Sequence, residues 1–199
     1  MPTSLADLRS RWFSNELADP RVRDRLIAYT HSEVGGQGPQ AQQAFMESIF
    51  NRAAARGQPL AKTLSGSYFP RVTHERATRP VSEAQRASYG PLVQSVLGGS
   101  NITNYATGNA SGTVGFAGGP QTAAFSGERY GIEGPDKGWW TRVGAEGPSA
   151  VGAVGYTAPQ EPLRASSTLE ELRPSRPSLG SEPLWTMVDY VAQRRRRMR

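Results

Sequence analysis

Apolar residues recur at three-to-four spacing through the first half of the chain, which is the period of a helix with one buried face. Leu5, Leu8, Trp12 and Phe13 predict a helix over 3–18. Asp19 can cap and Pro20 can open a second helix, carrying Val22, Leu26 and Tyr29 up to Glu33. Gly35, Gly36 and Gly38 stop it, and Pro39 suits the first turn of a third. That third segment, "PQAQQAFMESIFNRAAARG", joins good helix formers to a face of Ala41, Phe45, Ser48 and Arg52, with Gly57 as its stop. A short helix over 60–64 and a longer one over 82–97, bent near Gly90 and Pro91, complete the helical half.

The pattern then changes. Thirteen of the 22 glycines lie between Gly108 and Gly155, with no useful helical period, so short strands and ordered loops are expected. Residues 158–183, rich in Pro and Ser, read as a linker or extended arm, and Leu184, Val188 and Val191 predict a closing helix. The fold class expected is mainly α: an α+β arrangement with a compact helical domain, Gly-rich loops or short strands, an extended arm and a C-terminal helix. The divisions expected are an N-terminal helix over 1–19, the main domain over 20–145, the arm over 146–183 and a basic helix over 184–199.

Composition narrows the chemistry. A hydrophobic share of 37% with 15 prolines across 199 residues suits one core with long connections. No apolar run approaches the roughly 18 residues of a membrane-spanning helix, and the first residues lack the apolar stretch of a secretory signal. Work outside the cytoplasm would therefore need another export route. The absence of cysteine excludes disulfides, thiolate zinc sites and cysteine nucleophiles. The net charge of +6 is concentrated in the closing "RRRRMR", which holds five arginines. The remainder is nearly neutral, unlike the broad basic surface of a nucleic-acid binder. The arginine tail reads as solvated chain, as a handle for an acidic protein face, or as an adhesive for a polyanion.

The oddest placement is Glu33. At about 100° per residue, Val22, Leu26, Tyr29 and Glu33 fall within roughly 60° of one another, so the acid lies on the apolar stripe. A carboxylate there loses hydration, and the negative end of its own helix opposes ionisation as well. Both effects favour the protonated acid that glycosidic cleavage requires. The glycines that follow would keep the acid beside an open cleft. The plain alternative is a helix-end residue paired with an arginine.

The stretch "AYTHSEVGGQGPQAQQAFMESIFNRAAARG" resembles the opening motif of the SleB-like, spore-cortex-lytic cell wall hydrolases: a helix ending in glutamate, a glycine-bearing turn, then a helix of small residues ending in Asn-Arg. The corresponding residues are Glu33, Gly35 with Gly36, Gln43 with Ala44, and Asn51 with Arg52. "YATGNASG" is similar to the family's Thr-Gly-Gly-Ala segment through Thr107, Gly108 and Ala110, and "GWWTRVG" to its aromatic ending. The resemblance spans about residues 22–143. It departs where the family often has a second glutamate, since Gly36 and Gln37 stand here, and where Ser111 and Gly112 replace an expected aromatic or histidine.

The resemblance implies a lysozyme-like domain that cuts the MurNAc-GlcNAc glycan strands of peptidoglycan as a lytic transglycosylase or muramidase, with Glu33 as both acid and base and no cofactor. It implies action in the periplasm or cell wall, reached through a phage particle or a dedicated export route. Glu47 and Asn51, four apart on the third helix, could bond to each other and face the cleft. Thr107 and Asn109 could donate to acetamido groups, while Tyr105, Tyr130, Trp139 and Trp140 could stack on sugars. Glu128 is the candidate second carboxylate.

A metal reading fares worse. His31 and Glu33 sit about 200° apart on a continuous helix, and only His74 remains as another histidine, whereas catalytic zinc takes three protein ligands. The chain also lacks a P-loop, a Gly-x-Ser-x-Gly elbow and the cysteines of a deaminase. The competing class is a non-catalytic virion or assembly protein built on a hydrolase-like domain, attached to other components through the basic C-terminal helix.

Overall fold

The structure is a computed structural model that describes residues 4–65, 69, 71–111 and 115–148. The expected Pro/Ser-rich arm, the basic C-terminal helix and the arginine tail lie outside the described residues. So does Gly112, and nothing is described of the Ser111 side chain. The described residues are mainly helical, with six α-helices and one small sheet. They fall within a single unit, Met1–Pro159. No helix among them is long and apolar enough to cross a membrane.

Local chemistry sets the helix ends. Ser4 caps α1 (Leu5–Ala18) by accepting from the Asp7 amide at 3.1 Å. Asp19 both ends α1 and caps α2 (Pro20–Val34), its carboxylate taking the Arg21 amide at 2.8 Å just ahead of Pro20. Gly38, at φ +88°, makes the turn into α3 (Pro39–Arg56), and Gly57 closes α3 in the left-handed conformation. The first turn of α4 (Leu60–Thr63) is capped from a distance by Glu16, whose two oxygens each accept an amide at 3.2 Å. Ser82 and Gln85 form a capping box on α6 (Glu83–Leu97), which accommodates Pro91 in its interior. One element has no counterpart in the periodicity, the seven-residue α5 (Arg71–Ala77).

Helix α3 is the axis of the fold. Its burial extends well beyond the Ala41, Phe45, Ser48 and Arg52 face, because α1, α2, α4, α6 and the sheet surround it. A helix enclosed on all sides needs small or apolar residues nearly everywhere, which the Ala-rich segment supplies. Phe13 of α1 meets Phe50 of α3 edge to face at 5.3 Å, and Tyr29, Phe45 and Phe69 form a second aromatic group. Helix α1 belongs to the same core, with Leu8 and Phe13 fully buried.

The glycine-rich half forms an antiparallel three-stranded sheet of order β1-β3-β2, from β1 (Gly108–Ser111), β2 (Gln121–Phe125) and β3 (Glu128–Gly131). Gly119 shows why glycine dominates here: a Cβ would come within 1.5 Å of the Ile132 carbonyl oxygen. Two 3-10 turns, Gly134–Asp136 and Trp139–Val143, carry the chain back to α3.

Candidate active site

Glu33 occupies the last turn of α2, part-buried, where α2 packs on α5. Its Oε1 accepts a hydrogen bond from the Thr73 hydroxyl of α5. Among the described residues no arginine or lysine lies within ion-pair distance of it, and its Oε2 has no hydrogen-bond partner. The plain alternative of an arginine-paired helix end is therefore not what is observed. The setting is also less apolar than the stripe suggests, because the threonine hydroxyl supplies a polar neighbour.

The helix end around this acid is firmly held. Tyr29, one turn earlier, has its hydroxyl on Nδ1 of His74, and His31 places Nδ1 at 3.0 Å from the Tyr89 hydroxyl of α6. Burial pushes both tyrosine hydroxyls above their ordinary value of 10.0. Gly35 follows with no space for a side chain, since a Cβ would lie 2.4 Å from the His31 carbonyl oxygen. The Gly35 carbonyl accepts from Gln42 Nε2 at 2.9 Å, and the Gln37 carbonyl from the Ser126 hydroxyl at 3.1 Å. The turn between β2 and β3 is thereby tied to the corner between α2 and α3.

A cleft of about 370 Å³ lies between α2, α5 and the start of α6; Ser32 lines it, and Glu33, expected from the sequence to stand beside an open cleft, does not. His31, Arg76, Arg79 and Gln85 also line it. His31 and His74 each bond a tyrosine, and no group of three metal-ligating side chains occurs among the described residues.

Five of the residues expected from the sequence to touch substrate prove to be interior. Glu47 is completely buried and takes donors from Ser100 Oγ, Ile102 N (3.2 Å), Thr103 N (3.0 Å) and Thr103 Oγ1 (3.0 Å). Asn51 does not bond to Glu47. Its Oδ1 accepts from Arg9 at 2.7 Å and its Nδ2 donates to the Ala106 carbonyl at 2.9 Å. Arg9 is buried as well, donating to the Val96 and Ser100 carbonyls at 2.7 and 2.6 Å. Desolvation pulls its pKa down to about 10, against the opposing pull of Glu47, so the guanidinium stays charged at neutral pH. A buried charge needs this compensation, and Glu47 supplies it.

Thr107 is likewise buried, its hydroxyl accepting from the Glu133 amide at 3.0 Å. Arg52 donates to the Thr107 carbonyl at 3.2 Å and pairs with Glu133 at 2.6 Å, while Arg56 spans Glu133 and Asp136. Tyr130 is wholly buried with its hydroxyl donating to the Ala41 carbonyl at 3.2 Å, and Trp139 donates its indole N–H to the Tyr105 carbonyl at 2.9 Å. These corrections share one physical reason. Aromatic and polar residues flanking a glycine-rich stretch are needed to pack and hydrogen-bond it onto α3.

Tyr105, Asn109 and Glu128 remain partly accessible. Asn109 Nδ2 lies 3.4 Å from Glu128 Oε2, across neighbouring strands of the sheet. Tyr105 sits at φ +66°, held in that conformation by the Asn101 side chain and by Trp139. Thr73, the residue that touches Glu33, and the arginines of the neighbouring cleft escape the sequence reading, because α5 is too short for periodicity to reveal. No family model, curated protein or solved structure matches this chain.

Proposed function

We propose that this chain is a glycosidase that cuts the MurNAc-GlcNAc strand of peptidoglycan, with Glu33 as the proton-transferring group. The observation that carries the reading is the isolated carboxyl at the end of α2. Among the described residues, one oxygen is held by Thr73, the other has no protein partner, and no cation neutralises it. A carboxyl so oriented can pass a proton to a substrate oxygen without first breaking an ion pair. The motif resemblance names the substrate, and the mainly helical α+β architecture agrees with the lysozyme-like domain it implies.

In the reaction, Glu33 gives its proton to the glycosidic oxygen as the bond from C1 of the muramic acid breaks. The 6-hydroxyl of the same sugar then closes on C1 and returns its proton to Glu33, leaving an anhydro end. Water in place of the 6-hydroxyl leaves a reducing end and restores the acid in the same way. Glu128 with Asn109 is the partly accessible pair on the sheet that could contact an acetamido group. Glu47, Asn51, Thr107, Tyr130 and Trp139 shape the domain from within.

The test is solubilisation of purified sacculi by the wild type and by Glu33→Gln, with mass spectrometry of the released muropeptides. Release that disappears in Glu33→Gln, with the fold intact by circular dichroism, supports the reading, and the masses separate anhydro from hydrolysed ends. Equal release by the variant removes Glu33 from the reaction. No release by either protein favours the non-catalytic assembly role.

A further inference from the structure

The cleft beside Ser32 gathers more positive character than any glycan hydroxyl calls for. Arg76 and Arg79 line it from the end of α5 and the loop after it, both exposed and neither ion-paired among the described residues. The acids on the same elements, Glu75 and Glu83, do not line it, and Glu75 is held by Arg71 at 2.8 Å. Gln85 has its carbonyl oxygen fixed on the Ser82 cap, so its amide N–H groups remain as donors. The Nδ1 of His31 is engaged by Tyr89, which leaves Nε2 for a ligand.

Two guanidinium groups, an amide and an imidazole around one concavity form a receptor for a carboxylate. Glu33 does not line the cleft: it stands about 100° from Ser32 around α2, and it is connected to the cleft's arginines through Thr73, which lies one turn from Arg76 on α5. We propose that this cleft holds the carboxylate-bearing peptide of a peptide-substituted glycan strand, the peptide reaching around the end of α2 from the sugar on which Glu33 acts. The proposal rests on the glycosidase reading and adds to it a preference for strands that still carry their peptides.

The experiment compares wild type with Arg76→Gln/Arg79→Gln on soluble strands bearing peptides and on the same strands stripped by an amidase. Removing two charge-assisted hydrogen bonds from an exposed site should raise KM on peptide-bearing strands about tenfold, with stripped strands unaffected. In parallel, Glu33→Gln is titrated calorimetrically with a disaccharide-tetrapeptide and with its fully amidated form, with and without the arginine substitutions. Weaker binding of the acid form, and only of that form, when the arginines are replaced supports the proposal. Unchanged KM and unchanged Kd in the double variant overturn it and leave the glycosidase reading intact. Arginine-dependent binding by a wild type that cuts no strand sustains the cleft and removes the catalysis.

Discussion

Glu47 and Glu33 are the same side chain used in opposite ways. Glu47 lies at the centre of the molecule, on α3, with two amides and two hydroxyls on its oxygens and the Arg9 guanidinium close by. Glu33 lies at the edge, on the last turn of α2, and among the described residues it has a single threonine hydroxyl on one oxygen. A carboxylate whose capacity is saturated by the protein holds loops in place and has nothing left to offer a ligand. One with a vacant oxygen at a helix end contributes little to folding and keeps its chemistry available.

The sharpest way to break this contrast is to remove each acid in turn. Glu33→Gln should lower sacculus solubilisation about 10²- to 10⁴-fold, the usual contribution of a general acid, while urea unfolding stays near wild type. A large loss of stability instead would mean that Glu33 is a structural acid like Glu47. Glu47→Ala should destabilise the fold by about 3–5 kcal/mol, because it takes the acidic neighbour from the buried Arg9 charge and leaves the buried Thr103 amide and hydroxyl without their acceptor. Chemical denaturation measures this, and a change under about 1 kcal/mol would show that the centre tolerates an unpaired guanidinium.

Smaller changes refine the edge. Thr73→Val removes the hydrogen bond that holds the Glu33 carboxyl and should cost about tenfold in kcat, on the order of one charged hydrogen bond, with KM unchanged. A pH effect also follows from Tyr29 and Tyr89, whose hydroxyls are held above their ordinary 10.0 by burial. As pH rises past that value the unfolded chain loses these protons before the folded one does, so stability falls there. Thermal melts above pH 10 should show the decline, and Tyr89→Phe should make it shallower. The smallest effect belongs to Asp24. Its hydrogen bond from Arg86 holds its carboxyl below the ordinary 3.8, so this exposed pair contributes above that pH and is lost as pH falls through it.

What could be read in advance follows the same division between local and distant causes. The cap at Asp19, the glycine stops, the extent of α3 and the placement of Glu33 on the apolar stripe all follow from residues within a few positions of one another. Glu47 could not be read so: its four donors are 53 to 56 residues away, and its i+4 relation to Asn51 suggested a partner it does not have. Asn51 and Arg52 of the motif do architectural work as well, binding Ala106, Thr107 and Glu133. Those two motif residues therefore serve the architecture, and of the motif's polar residues Glu33 is the one on which the proposed chemistry rests. Thr73 and the cleft arginines stayed hidden because nothing in a seven-residue helix marks which strand or helix it will meet.

The bond from Ser126 to the Gln37 carbonyl ties the hairpin tip to the corner that follows Glu33. Four residues separate α2 from α3, and this bond and the one from Gln42 brace their carbonyls from opposite sides. Loosening the hairpin tip, as in Ser126→Ala, would therefore be felt at the corner that begins two residues beyond Glu33.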